Sequence, residues 1–321
     1  MRIVFAGTPA AAVPSLQALL SSPHEVAAVI SRPDAPTGRG RKLLPSPVAA
    51  LAAEAGVPLL QPVSVRTPEF LAELQALRPD VAAVVAYGKI LPRPVLDVPT
   101  HGWVNLHFSL LPAWRGAAPV QAAVRAGDEI TGASTFLLEE GMDTGPVFGT
   151  ITEQVRPDDT SGALLQRLSV SGAALLVATI DGIADGSLHP VPQPADGVST
   201  AGKIDRDQAR IDWAAPALAV DRLIRSVTPE PGAWTDSPWG PLQLGPVTAV
   251  QEDGLPRLAA GELLVQRNRL LVGTASGPVR LGELKAPGSR PMPAADWARG
   301  RRPESGTLLG ATTATVEEAT G

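Results

Sequence analysis

The sequence has 321 residues, 44% of them hydrophobic and 18% charged, with 33 prolines and 31 glycines. That is enough chain for two domains and too apolar for an intrinsically disordered protein. It contains no cysteine, which excludes a disulfide framework, a thiolate nucleophile, a zinc–thiolate site and a cysteine-ligated iron–sulfur cluster, and fits a reducing compartment.

From the N-terminus, Ile3-Val4-Phe5-Ala6, then Gly7-Thr8-Pro9, then Val13, Leu16, Leu19 and Leu20 predict strand, turn and amphipathic helix. Thr8 is the expected N-cap and Pro9 the first helical residue. These start signals, with Pro9 and Pro14 breaking the uncharged stretch, outweigh a signal peptide. Residues 26–30 (VAAVI) read as a second strand. Residues 32–42 (RPDAPTGRGRK) read as a loop, where Arg32, Arg39, Arg41 and Lys42 face one acid, Asp34. The net charge of −5 argues against a general nucleic-acid coat, yet this loop is a local basic patch.

Ser46-Pro47 and Thr67-Pro68-Glu69 start two helices, the second with Phe70, Leu71, Leu74 and Leu77 on one face. Residues 81–86 (VAAVVA) and 103–106 are further strands, and Asp159-Thr160 caps a helix carrying Leu164, Leu165, Leu168, Leu175 and Leu176. This alternation predicts an α/β domain with a mainly parallel, helix-covered sheet. No unbroken run of roughly 18 strongly apolar residues occurs, so no transmembrane helix and no membrane partner are expected. HPVPQPADG at 189–197 reads as an extended connector. A helix follows at 217–227, then β-prone pieces at 232–235, 242–250, 261–265, 269–274 and 279–285, a spacing that predicts a small antiparallel barrel. The expected plan is a first domain over 1–189, a linker over 190–206, a barrel over 207–303 and a frayed tail over 304–321.

Residues 105–121 read NLHFSLLPAWRGAAPVQ, directly after an apolar strand. Asn105 and His107, two apart, share one side of its C-terminal end, where crevices open in parallel sheets. The turn Ser109-Leu110-Leu111-Pro112 offers backbone groups to a planar heterocycle, and Gly141-Met142-Asp143-Thr144-Gly145 sets one carboxylate on a glycine-flanked turn. An amide, an imidazole and a carboxylate suit acyl transfer to an amine: the amide holds the oxyanion, the imidazole moves protons, and the carboxylate orients and charge-stabilises the imidazole. No Ser or Cys nucleophile stands in such a context, so the attacking amine belongs to the acceptor. Singly, His107 reads as a structural histidine, Asn105 as a strand-end residue and Asp143 as a turn former; their joint context favours chemistry. Gly7-Thr8-Pro9 lacks the rest of a dinucleotide fingerprint. The four histidines are scattered without metal-ligand spacing, so no metal is expected.

NLHFSLLPAWRGAAPVQ followed by GMDTG resembles the signature of the formyltransferases that use 10-formyltetrahydrofolate. Further similar segments are FAGTP (5–9), RPDAPTGRGRKLLPSPV (32–48), QPVS (61–64), VVAYGKILP (84–92), DDTSG (158–162), KIDRDQARIDW (203–213) and PEPGAW (229–234). The resemblance implies a Rossmann-like formyltransferase domain followed by an OB-like barrel. It implies a catalytic triplet of Asn105, His107 and Asp143, folate contacts at Ser109, Leu110, Leu111 and Pro112, and 10-formyltetrahydrofolate as formyl donor. WRGAAPVQ, the GRGRK loop and KIDRDQARIDW point to the branch whose acceptor is initiator Met-tRNA, in which Arg39, Arg41 and Lys42 meet the acceptor stem. On that reading the chain is a cytoplasmic monomer that also releases tetrahydrofolate. The alternatives are an amino-sugar formyltransferase or formyltetrahydrofolate hydrolase of the same plan, or an RNA-binding relative without activity. Ala10-Ala11, Phe108 and Ala201-Gly202 depart from the family pattern but leave the triplet untouched.

Overall fold

The structure, a computed structural model, describes residues 1–37 and 42–310. Its first half is built on strands too apolar to face water on either side. In chain order these elements are β1 (Arg2–Gly7), α1 (Val13–Leu20), β2 (Glu25–Ile30), the pair β3 (Ala35–Thr37) and β4 (Lys42–Leu44), α2 (Pro47–Glu54), β5 (Leu59–Leu60), α3 (Pro68–Ala76), β6 (Val81–Val85), α4 (Arg93–Leu96), β7 (Trp103–His107), β8 (Arg115–Gly116), α5 (Pro119–Ala126), β9 (Ile130–Leu137), β10 (Val147–Gln154), α6 (Ser161–Ala184) and β11 (Thr200–Ala201).

A seven-stranded sheet runs β10-β9-β7-β6-β1-β2-β5. The pairs from β5 to β7 are parallel, while β9 and β10 join antiparallel at one edge. Burial of Ile3, Val4, Phe5 and all of β6 explains why these strands show no polar alternation: helices cover both faces. Ser46 and Thr67 cap α2 and α3 as expected, accepting from the Ala49 and Phe70 N–H groups at 3.1 and 3.3 Å. At α6 the cap is Thr160, whose hydroxyl accepts from Ala163, while the Asp159 carboxylate accepts from Arg156 in the preceding turn.

Thr8 does not cap a helix. Its hydroxyl donates to the Tyr87 carbonyl (3.1 Å), and a short 3₁₀ turn at Ala10–Ala12 precedes α1. Helix α6 has 24 residues and a mean hydropathy of 1.6 over its most apolar window, enough by length and composition to cross a membrane. Leu164, Leu168, Leu176 and Ile180 are fully buried, however, and a side chain at Gly172 would meet Leu106 of β7 at 3.0 Å, so it is a core helix. The basic segment is partly strand, since Ala35 pairs with Leu44 and Thr37 with Lys42. Arg39, Arg41 and the Lys42 side chain lie outside the described residues.

The second half comprises α7 (Ala217–Ser226), β12 (Ala233–Thr235), β13 (Leu242–Leu244), β14 (Val247–Ala249), β15 (Leu263–Gln266), β16 (Arg269–Val272), β17 (Val279–Leu281), β18 (Glu283–Lys285), β19 (Met292–Pro293) and α8 (Ala294–Arg301). They form two antiparallel four-stranded sheets, β12-β13-β18-β19 and β14-β17-β16-β15. Trp213, Ile224, Leu263, Val272 and Trp297 are buried in their shared core, and the Trp213 indole N–H donates to the Thr235 hydroxyl at 2.9 Å.

The chain divides into two compact units that are not contiguous in sequence. One takes in Met1–Pro119, Glu129–Val155 and Leu164–Gly202; the other takes in Val120–Asp128, Arg156–Ala163 and the chain from Lys203. Within the expected linker over 190–206, residues up to 201 are bonded into the first unit: Val191 bridges Val147, and β11 pairs parallel with β8.

Candidate active site

Three segments of the first unit converge at the C-terminal end of β7. Pairing of Asn105 with Val84 and with Phe136 fixes that strand between β6 and β9. Asn105 and His107 therefore project from its end toward one cavity of about 530 Å³. The His107 ring is buried, with its edge set against Phe136 at 6.3 Å between centroids.

His107 Nε2 lies 2.9 Å from the Trp114 carbonyl. A carbonyl only accepts, so Nε2 carries the hydrogen and Nδ1 of the neutral ring keeps its lone pair. Nδ1 is 3.7 Å from Asp143 Oδ2, beyond hydrogen-bond reach but close enough for charge to act. The carboxylate is fixed from elsewhere: Oδ2 accepts from the Gly116 N–H at 2.7 Å. The imidazole is thus oriented by a backbone carbonyl, while Asp143 acts on its charge. Burial pushes the His107 pKa below its ordinary value of 6.5, against the smaller opposing pulls of Asp143 and the Trp114 carbonyl. A neutral imidazole with an available lone pair is the form suited to accepting a proton.

The turns that place these groups are conformationally demanding. Trp114 and Asp143 have positive φ, 57° and 53°. Gly116 has φ +122°, and a Cβ there would lie 2.5 Å from the Ala201 carbonyl oxygen, so β8 and β11 could not pair with a larger residue. Gln193 donates to the carbonyls of Asp143 (2.7 Å) and Gly145 (2.8 Å) and accepts from Arg115 Nη2 (2.7 Å) and Nε (3.1 Å). Ser199 Oγ accepts from the Trp114 N–H at 2.9 Å.

Besides the triplet, the cavity is lined by Ala86–Leu91 with Leu96 and by Leu138–Met142. It is largely apolar, with Lys89 in the first of these segments and Glu139 and Glu140 in the second. Lys89 Nζ donates to the Pro62 and Val63 carbonyls at 2.5 and 2.8 Å. The Tyr87 hydroxyl is buried without a hydrogen-bond partner among the described residues, and its pKa is pushed up to about 12 by that burial, so it stays an O–H donor.

Asn105, His107 and Asp143 are brought together as the sequence predicts. Ser109, Leu110, Leu111 and Pro112 are not: none of them lines the cavity. The turn folds back onto β9, where its polar groups are spent. Ser134 Oγ donates to the Ser109 carbonyl (2.7 Å) and accepts from the Leu111 N–H (3.1 Å), and Ser109 Oγ donates to the Ala113 carbonyl (2.6 Å). Sequence reasoning missed Trp114, which acts through its carbonyl and so leaves no side-chain signal, and Gln193, hidden in a proline-rich stretch. VVAYGKILP was recognisable as a motif, but its place on the cavity wall was not.

Known proteins narrow what such a cavity serves. Residues 1–180 match the formyl transferase family, and residues 203–302 match the formyl transferase C-terminal domain. The chain belongs to the formyl transferase family. It is 62% identical over 310 residues to a methionyl-tRNA formyltransferase of Saccharopolyspora erythraea, covering 96% of this chain and 100% of that one. A second methionyl-tRNA formyltransferase, from Streptomyces avermitilis, is 59% identical over 312 residues, covering 97% and 100%. Among solved structures, HypX from Aquifex aeolicus in complex with tetrahydrofolic acid superposes with a TM-score of 0.65 at 19% identity. That match covers 93% of this chain but 47% of HypX, so it speaks for a shared fold.

Proposed function

We propose that this protein transfers the formyl group of 10-formyltetrahydrofolate to the amino group of methionine on initiator Met-tRNA. The observation that carries the reading is the triplet at the cavity end, Asn105, His107 and Asp143, in a chain 62% identical over nearly its whole length to a methionyl-tRNA formyltransferase. Family membership alone supports a folate-derived donor. The apolar cavity fits it: Ala86–Leu91 and Leu138–Met142 offer largely apolar walls to a planar heterocycle. The folate contacts are therefore assigned to these two segments instead of residues 109–112.

The donor supplies an activated formyl carbon on a nitrogen that leaves as a neutral amine. The Asn105 amide N–H donates to the formyl oxygen as negative charge develops on it. His107, neutral through burial, takes a proton at Nδ1 from the attacking ammonium, and the Asp143 carboxylate stabilises the imidazolium that results. The new C–N bond forms, the bond from the formyl carbon to N10 breaks, and N10 receives a proton as tetrahydrofolate leaves. One proton is released to solvent, which balances an ammonium reactant against an amide product.

Arg39, Arg41 and Lys42 are assigned to the tRNA acceptor stem, on the strength of the family resemblance of their segment and of its place in the sequence after β2. The two antiparallel sheets of the second unit are read as an OB-like barrel that holds tRNA, and the protein as a cytoplasmic monomer. The test offers the purified protein 10-formyltetrahydrofolate with Met-tRNA, with a UDP-amino sugar, or with water alone. Formyl-methionyl-tRNA is the expected product; formylation of the sugar, or donor hydrolysis without transfer, overturns the assignment.

A further inference from the structure

We propose that Gln193 is a positioning residue for formyl transfer, fixing the Asp143 turn against His107 from a segment that contributes no group to the cavity itself. The proposal rests on the reading of His107 and Asp143 as the reacting pair.

Gln193 has two amide hydrogens and one carbonyl oxygen, and all are engaged. Its Nε2 donates to the carbonyls on both sides of the turn, Asp143 at 2.7 Å and Gly145 at 2.8 Å. Its Oε1 accepts two hydrogen bonds from Arg115, in the strand that also carries the Gly116 N–H binding the Asp143 carboxylate. One side chain therefore ties the backbone of the carboxylate's turn to the strand that grips the carboxylate. Asp143 needs such support, because a left-handed residue other than glycine persists only where its surroundings over-determine it. No other side chain among the described residues is seen to donate to both of these carbonyls.

The imidazole is held from the residue just before that strand. Trp114, whose carbonyl orients His107, precedes Arg115 directly, and its N–H donates to Ser199 Oγ. The segment around Gln193 and Ser199 thus braces both partners of a 3.7 Å pair that shares no direct hydrogen bond. This bracing helps set the His107–Asp143 distance, alongside the Gly116 N–H that binds the carboxylate, and proton transfer is sensitive to shifts of about 1 Å.

A merely structural Gln193 would satisfy buried carbonyls and affect stability alone. Two variants separate the readings. Gln193→Leu removes both donors and the acceptor; Gln193→Glu keeps the size and the Arg115 contact but loses the donors. Both are measured with Met-tRNA and 10-formyltetrahydrofolate well below their melting temperatures, beside wild type, whose turnover first establishes the reaction. Expected in both is a fall in kcat of roughly 10- to 100-fold, with KM for Met-tRNA within about 3-fold of wild type. The charged group that acts on His107 is Asp143, and Glu139, Glu140 and Lys89 line the same cavity. Loosening the turn withdraws the Asp143 carboxylate that raises this pKa, so the His107 titration, followed by imidazole NMR among four histidines, moves to lower pH. Wild-type kcat and titration in both variants overturn the proposal, as does a change in melting temperature with no change in either. If Gln193→Leu fails to fold, Gln193→Glu decides alone. Wild type inactive with Met-tRNA removes the functional reading instead.

Discussion

At His107, burial and a backbone carbonyl act on one ring: burial keeps it neutral, and Trp114 leaves Nδ1 as the atom that titrates. Activity that needs the neutral ring falls as pH drops through its pKa, so the acid limb of kcat belongs below about 6.5. Asp143→Asn withdraws the carboxylate that raises this pKa, so the limb moves further down while kcat falls; a limb moving upward would contradict the geometry. His107→Ala is expected to lower kcat by roughly 10² to 10⁴ and Asn105→Ala by about 10² to 10³, with folding unchanged by calorimetry. Wild-type turnover in either variant would remove that residue from the chemistry. The triplet was legible because two members sit two apart on a strand end and the third on a glycine-flanked turn. Trp114 was illegible because any residue has a carbonyl.

Between β7 and β9, the turn Ser109–Pro112 serves as a fastener. Leu111 is 8% exposed and its N–H is bonded to Ser134, whereas Ile90, on the cavity wall, is 76% exposed. Leu111→Asp would bury a charge with no ion-pair partner and is expected to cost about 3 kcal/mol or more of stability. Ile90→Asp should leave the melting temperature nearly unchanged and raise KM for 10-formyltetrahydrofolate. The reverse pattern would return folate to residues 109–112. Elements with local start signals, α2 and α3 with their Ser-Pro and Thr-Pro caps, were readable from sequence. The pairing of β8 with β11 was not: each has two residues, they lie far apart in the chain, and such pairings leave no periodicity behind. Nor was α8, whose charged residues and penultimate glycine mask its buried Ala294, Trp297 and Ala298.

On the scale of the whole chain, the division of labour is not a cut in sequence, since Val120–Asp128 and Arg156–Ala163 belong with the unit that begins again at Lys203. Arg222 Nη1 donates to the Ala126 carbonyl and Arg225 Nη1 to that of Asp159, bonds that a truncation before residue 207 would sever. Point substitutions therefore test a tRNA-holding role more cleanly than removal of residues 207–321. Within the second unit, a cavity of about 400 Å³ is lined by Arg206, Lys285, Trp234 and Gln243 and by no carboxylate. The Arg206 guanidinium lies over the Trp234 ring at 5.1 Å, which keeps a cation at the surface without neutralising it. A phosphate backbone is the ligand such a lining favours, and each phosphate it neutralises releases counterions. Arg206→Ala with Lys285→Ala is thus expected to weaken Met-tRNA binding and to flatten the plot of log affinity against log salt by about one for each phosphate no longer neutralised. KM for 10-formyltetrahydrofolate should not move, because the proposed folate walls all lie in the first unit. An unchanged salt slope in the double variant would take tRNA off this face and leave Arg39 and its basic neighbours as the main cationic contact.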